Sequence, residues 1–285
     1  VVTLSTIMLI VLQHNAAHLG IVSGLCISEA TTKYLPGWLG RGLLTTALAA
    51  VVATTMAEVL GGAIALQMLF GLDLRLGSVL VAGVSLTLLL TNSYRHIERW
   101  IIGFVSLIGL SFLVEVLMVH VEWPAATLGW VSPSFPAGSM PVVMSVLGAV
   151  VMPHNLFLHS EIIQSRRFDA QGDDVIRERL DYEFVDTLLS MVIGWAINSA
   201  MVILAAATFF RHGIVIDDLA QAASVLSPLV GPAASLIFAV ALLLAGLSSS
   251  VTAGMAAGTI TAGMAREPYD IRERHSSLGV IVTFV

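Results

Sequence analysis

The stretch GAVVMPHNLFLHS, residues 148–160, sets a methionine, a proline and two histidines inside a long apolar run. Proline inside a helix removes one backbone hydrogen bond and clashes with the preceding turn, at a cost of about 3 kcal/mol or more. Lipid holds no water to satisfy the carbonyls so freed, so a break at Pro153 must face protein or a water-filled cavity. Discontinuous helices in transporters offer such carbonyls and half-helix ends to ions. Opening the helix before Pro153 deprives the carbonyls of Ala149 and Val150 of their usual donors. The Met152 thioether is a soft ligand. It does little for Mg²⁺ or Ca²⁺, which prefer oxygen shells, and can bind softer divalent ions such as Mn²⁺, Fe²⁺ or Cd²⁺. His154 and His159 are of a type that titrates near neutral pH, and so could move protons. The same residues also read as a simple proline kink with a core methionine and hydrogen-bonded histidines.

The elements that must position these groups are membrane helices. Of the 285 residues, 57% are hydrophobic and 11% are charged, against about 25% charged in soluble domains. That composition alone makes the chain an integral membrane protein. Its 24 glycines and few aromatics suit close helix packing in lipid. A net charge of -6, spread over loops, gives no reason to expect nucleic acid as a partner. The single cysteine, Cys26, excludes an internal disulfide and a cysteine-cluster metal site. The chain opens and closes inside apolar runs, so residues 1–285 are expected to be a single transmembrane domain cut from a longer, transporter-sized protein and incomplete at both ends.

A helix needs roughly 20 apolar residues to cross the hydrocarbon core. Spans are expected near 1–24, 42–71, 76–92, 100–120, 139–160, 188–209 and 232–263, with an eighth beginning near 277. Segments 25–41, 93–99, 161–187 and 264–276 carry 11 of the 13 Lys and Arg residues, while the alternate loops hold only Arg75 and Arg211. The positive-inside rule places the basic loops in the cytoplasm, so the first span runs from outside to inside. Within the third of these loops, Asp173 and Asp174 suit a helix start, and Val175, Ile176, Leu180, Phe184 and Val185 recur at helical spacing. That predicts an amphipathic helix at the inner surface, leading into the next span.

Each charged group inside a span costs about 2.5–3.5 kcal/mol on insertion scales and calls for a reason. Glu58 sits mid-span with no basic residue in any span to pair with it, which makes it a candidate proton carrier or ion-path group. Glu115 lies near an outer end, where a structural role is expected. His14 and His18 share one helix face at i, i+4 spacing and could bind a metal, face water or meet another helix. Asn198 and the triplet Ser248, Ser249 and Ser250 also fall in spans. Serine hydroxyls can bond their own helix carbonyls, and small residues ease packing.

GAVVMPHNLFLHSEIIQSR resembles the sixth helix of the Nramp family, the proton-coupled divalent metal transporters. The pattern Ala-x-x-Met-Pro-His reads Ala149, Met152, Pro153, His154 here. LQHNAAHLGIVSG is similar to the family's second helix, ATTMAEVLGGAIALQMLFG to the third and YRHIERWI to the turn into the fifth. INSAMVILAAATFF resembles the seventh and LLLAGLSSSVTAGMAAG the eighth. The likeness runs in order along nearly the whole chain, as family helices two to the start of nine.

The resemblance implies an all-α, leucine-transporter-like inverted-repeat fold. It implies a secondary transporter, not an enzyme, working as a monomer in the bacterial cytoplasmic membrane. Its partners would be the lipid bilayer, protons and a divalent cation. No cofactor is implied; Mn²⁺ or Fe²⁺ is cargo. The family binds metal through positions matching the Ala149 carbonyl and the Met152 sulfur, with further ligands on a first helix that this chain lacks. Glu58 and His154 match the family's proton path, and His159 and Arg166 match polar positions used toward the cytoplasm. Three departures stand out: Thr55 replaces a usual Asp, His18 a usual Arg and Gly258 a common Gln. Thr cannot hold a proton at neutral pH, so coupling weaker than the family's is expected. Some relatives carry Mg²⁺ without proton coupling and others act as receptors, so both stand as alternatives. Met152 argues against a site for hard ions alone.

Overall fold

The computed structural model describes residues 1–91, 103, 106, 109–110, 112–113, 116–117, 119–132, 134–216, 221 and 232–284. The segment 93–99, the motif YRHIERWI and Glu115 lie outside the described residues. The described elements are α1 (Val2–Ser23), α2 (Ile27–Tyr34), α3 (Gly37–Phe70), α4 (Leu74–Leu90), α5 (Trp123–Val131), α6 (Met140–Val150), α7 (Pro153–Gln164), α8 (Asp173–Thr208), α9 (Pro232–Ala265) and α10 (Arg274–Val282). No strand occurs among the described residues. Among the described residues five helical stretches are long and apolar enough to cross a membrane: α1, α3, the α6–α7 pair, α8 and α9.

Local chemistry sets the helix ends. Gly24 closes α1 at φ 64°, a left-handed turn that glycine adopts without strain. A side chain there would also collide with the Asp169 carboxylate. Asp73 caps α4, its carboxylate accepting from the Arg75 amide at 2.9 Å. The stretch expected as an amphipathic helix plus a span is one helix of 36 residues, α8. No proline interrupts it, and the acidic pair Asp173 and Asp174 opens its first turn. At 1.5 Å per residue it is about 54 Å long, well beyond a hydrocarbon core of about 30 Å. Its first turns therefore stand outside the core or the whole helix tilts. The same arithmetic applies to the 34 residues of α3 and of α9.

α3 and α9 share the most extensive interface of the described structure. Leu44 and Val51 of α3 pack on Ala253, Ala257 and Ile260 of α9, with Phe157 of α7 against their edge. Small residues let the backbones touch. A Cβ at Gly246 would stand 2.8 Å from both the Glu58 carbonyl oxygen and the Gly62 amide nitrogen. α4 and α10 extend this core through Leu89, Val251 and Val280.

The basic loops among the described residues gather at one end of the bundle. There the Ile27 amide donates to Ser160 Oγ at 3.1 Å, Ser28 Oγ to the Thr259 carbonyl at 3.0 Å, and Gln164 Nε2 to the Gly24 carbonyl at 3.0 Å. These bonds join α7 and α9 to the α1–α2 connection. At the other end Trp195 Nε1 donates to Thr3 Oγ1 at 3.0 Å, and Arg211 Nη1 to the His120 carbonyl at 3.3 Å. Segments 25–41, 161–172 and 264–276 thus share a face that the Arg211 loop does not.

Gly246→Ala is expected to lower stability by about 1–3 kcal/mol, because a methyl pressed on backbone cannot be relieved by a rotamer change. Gly83→Ala, with open space around it, is expected to be neutral or stabilising by up to about 1 kcal/mol. Thermal unfolding of the two variants in one detergent compares them directly. Equal midpoints would show that α3 and α9 are not in backbone contact.

Candidate functional site

Two half-helices meet at Met152. Val151 closes the last turn of α6, its amide donating to the Leu147 carbonyl at 2.8 Å, with φ -98° and ψ 74°. Met152 is extended at φ -81° and ψ 122°, and α7 starts at Pro153. Proline suits a first helical position, because its missing N–H would have been unpaired there and its ring presets φ. The same residue denies a donor to the Ala149 carbonyl four positions back. Ala149 is exposed and Met152 half-buried. The carbonyl end of α6, the negative pole of its dipole, and the Met152 sulfur therefore open together at the break. Among the described residues no group of three or more His, Cys, Asp or Glu is arranged to hold a metal. The donors at the break are instead carbonyl oxygen and thioether sulfur.

His154, one residue past the proline, is 1% exposed, and its Nδ1 is buried without a hydrogen-bond partner. An unmade bond of this kind costs roughly 1–3 kcal/mol. Glu58 lies on α3, half-buried, with its carbonyl oxygen against Gly246 of α9. Its carboxylate has no hydrogen-bond or ion-pair partner among the described residues. Thr55, one turn earlier, is 0% exposed, and its hydroxyl donates to the Val51 carbonyl of its own helix at 2.9 Å. Arg166 is exposed beyond the end of α7 and meets none of the other candidates; its carbonyl accepts from Gln171 Nε2 at 3.2 Å. A cavity of about 500 Å³ lies at the end remote from the basic loops, lined by Thr3, His120, Trp130, Ser199 and Arg211 among others. None of the expected site residues lines it.

His159 is placed differently. Its Nε2 stands 3.7 Å from Glu183 Oε1 of α8, and Glu183 Oε2 lies 2.8 Å from His14 Nδ1 of α1. Glu183 escaped the sequence reading. It looked like one charge of a solvated helix face, yet it is buried at 8% exposure. Its i, i+4 partner Thr187 was a local hint, but His14 is 169 positions away. His18 is exposed and touches His14 ring to ring at 5.4 Å between centroids. Asn198 is exposed, and Ser250 is buried with its hydroxyl unpaired.

A family model described as natural resistance-associated macrophage protein-like, Nramp, matches residues 1–285. The chain belongs to the Nramp family. A Brucella suis protein named divalent metal cation transporter MntH is 36% identical to this Nramp chain over 271 residues, which is 92% of this chain and 59% of that protein. A Bacillus subtilis protein of the same name is 32% identical over 269 residues, 92% of this chain and 62% of the relative. The crystal structure of a manganese transporter from Eremococcus coleocola matches at a TM-score of 0.82 and 26% identity, over 99% of this chain and 62% of that one. The Nramp chain thus spans about three-fifths of the length of these relatives. It is an integral membrane protein with the all-α, leucine-transporter-like fold.

The one cysteine is chemically quiet. Cys26 is 1% exposed, with Sγ 3.1 Å from Ser28 Oγ. Burial first, and the nearby Glu161 charge second, push its thiol up to about 12. Because thiolate is the reactive form, and pH 8 lies well below that value, Cys26 is expected to resist maleimide in the folded protein and to label fully once denatured. Intact-mass spectrometry reads both states. Complete labelling of folded protein at pH 8 would show an accessible thiolate.

Proposed function

We propose that this Nramp chain serves the import of divalent transition-metal ions, Mn²⁺ or Fe²⁺, across the bacterial cytoplasmic membrane, with its basic loops in the cytoplasm. The observation that carries the reading is the break at Met152. A carbonyl without a donor and a thioether open at one point inside a membrane helix, which is a donor set for a cation of intermediate softness. The relatives' names, divalent metal cation transporter and manganese transporter, support it. In this reading the Ala149 carbonyl and the Met152 sulfur hold the ion, and Pro153 keeps the helix open. Glu58, His154 and His159 serve the proton, and Arg166 lies at the cytoplasmic exit. Metal and proton are transported substrates.

A second reading, Mg²⁺ transport without proton coupling, draws on Thr55. Its hydroxyl is spent on its own helix and cannot carry a proton. Met152 favours the first reading, because a hard ion gains little from sulfur.

In proteoliposomes containing the intact transporter, Met152→Ala is expected to weaken discrimination against Ca²⁺ and Mg²⁺ more than it slows Mn²⁺ entry, since an oxygen-rich shell remains. Competition for Mn²⁺ uptake measures this. An unchanged Ca²⁺/Mn²⁺ preference would remove Met152 from the site.

Proton entry is expected to accompany Mn²⁺ but at a lower ratio than in an Asp-containing relative assayed beside it. A lumenal pH dye reads the ratio. Parity with that relative would show that Thr55 is no handicap.

A further inference from the structure

Three helices meet at the Glu183 carboxylate, and both of its oxygens are engaged. Oε2 is 2.8 Å from His14 Nδ1 of α1. Oε1 accepts from Thr187 Oγ1 at 2.6 Å, one turn along α8, and stands 3.7 Å from His159 Nε2 of α7. That nitrogen is itself buried and makes no hydrogen bond. Around His14 stand the ring of His18 at 5.4 Å and that of Phe184, edge-on, at 5.2 Å. Among the described residues no lysine or arginine pairs with Glu183.

A buried carboxylate costs several kcal/mol unless it is paired. Fixed cations pair permanently, whereas imidazoles pair only when they carry a proton. Both ion-pair partners of Glu183 are imidazoles, so the charge of this junction is set by the protons its members share. The junction also lies on the way out. His159 is seven residues beyond Met152 on the same half-helix, about 10 Å toward the basic loops at 1.5 Å per residue. Between them lies His154, with its unpaired Nδ1.

We propose that Glu183 is a further proton-carrying residue of the transport path, taking the proton from His159 at the meeting of α1, α7 and α8. This rests on the proton-coupled reading given above. In the step, the N–H bond of the His159 imidazolium breaks and an O–H bond forms on the carboxylate. The imidazole is left neutral and Glu183 is a neutral acid. Loss of that proton to water at the basic-loop end restores the carboxylate. The 3.7 Å gap exceeds hydrogen-bond range, and rotation of the His159 ring or one intervening water closes it. His14 holds the other oxygen, so the carboxylate stays aimed as its charge changes.

The test compares proton entry per Mn²⁺ in proteoliposomes of the intact transporter, with lumenal pH and Mn²⁺ read in parallel. Glu183→Gln keeps the shape and removes the titratable oxygen, and it is expected to lower the ratio by roughly threefold or more, as for loss of an intramembrane proton carrier. Glu183→Asp keeps a carboxylate and is expected to restore most of the ratio, which a merely structural role would not require. Where Glu183→Gln yields no folded protein by size exclusion, His14→Gln removes a titratable partner instead, and the ratio is expected to fall by roughly half. A wild-type ratio in Glu183→Gln, or in His14→Gln where that variant stands in, overturns this proposal and leaves the transport reading intact. Mn²⁺ entry without any proton entry in the wild type overturns the coupled reading and this proposal together.

Discussion

Inside a bilayer a helix can be interrupted only where something other than lipid meets the freed backbone groups. The arrangement around α7 follows from that constraint. Pro153 at the first position of α7 needs no donor partner, and Val151 still closes α6 onto Leu147. What remains open is the carbonyl end of α6. Neighbours hold the short half-helix below it in place. Gly20 of α1 brings its backbone against Ser160 and Ile163, and Phe157 seats α7 on the α3–α9 core. A 12-residue helix has little stability of its own in isolation. Its position is set by α1, α3 and α9, and with it the position of Met152.

Charge inside the bundle obeys the same economy. The ion pairs among the described residues all involve histidine, and the two buried ones converge on Glu183. Glu58 is farther from any partner, with an unpaired carboxylate on the helix that carries the backbone contact to Gly246. Among the described residues, neither Glu58 nor Glu183 has a Lys or Arg partner. At the basic-loop end, outside the spans, burial and then the charges of Glu161 and Asp270 push the Tyr269 hydroxyl up to about 12. That phenol, like the Cys26 thiol, stays neutral over the physiological range.

Much of this was legible before any coordinates. Proline chemistry marked the position of the break, since Pro153 withholds a donor from Ala149, but whether the helix kinks or opens there was not legible. Glycine and alanine runs announced close helix packing in general, and the backbone contact at Gly246 is an instance of it, but which two helices meet there was not legible. Of the segments that loop charges grouped, the described stretches 25–41, 161–172 and 264–276 do gather at one end. Glu183 was not legible for a physical reason. Burial of a charge depends on what lies opposite, and His14 reaches it only through the packing of α1 on α8. Periodicity reads one helix face at a time and cannot tell a solvated face from one pressed on a distant helix. The unbroken 36 residues of α8 were likewise split in two, because the polar first turns resemble a surface helix until the missing breaker is noticed.

α7 joins all of these features. The break lies at its first residue, the Glu183 junction meets it at His159, and the ties to the α1–α2 connection leave from Ser160 and Gln164. Displacing this one short helix would shift the metal donors, the Glu183 contact and the closure of the basic-loop end together. The ties are neutral hydrogen bonds, each worth about 1 kcal/mol net. A handful of such bonds is comparable to the free energy by which a ligand bound at a hundred times its Kd favours one state, about 2.7 kcal/mol. On the proposed reading, an ion at Met152 and a proton passing from His159 to Glu183 would both act on α7, with energies of the same order as those holding it. On that reading ion release and proton release would be linked by geometry, without a separate wire between their sites.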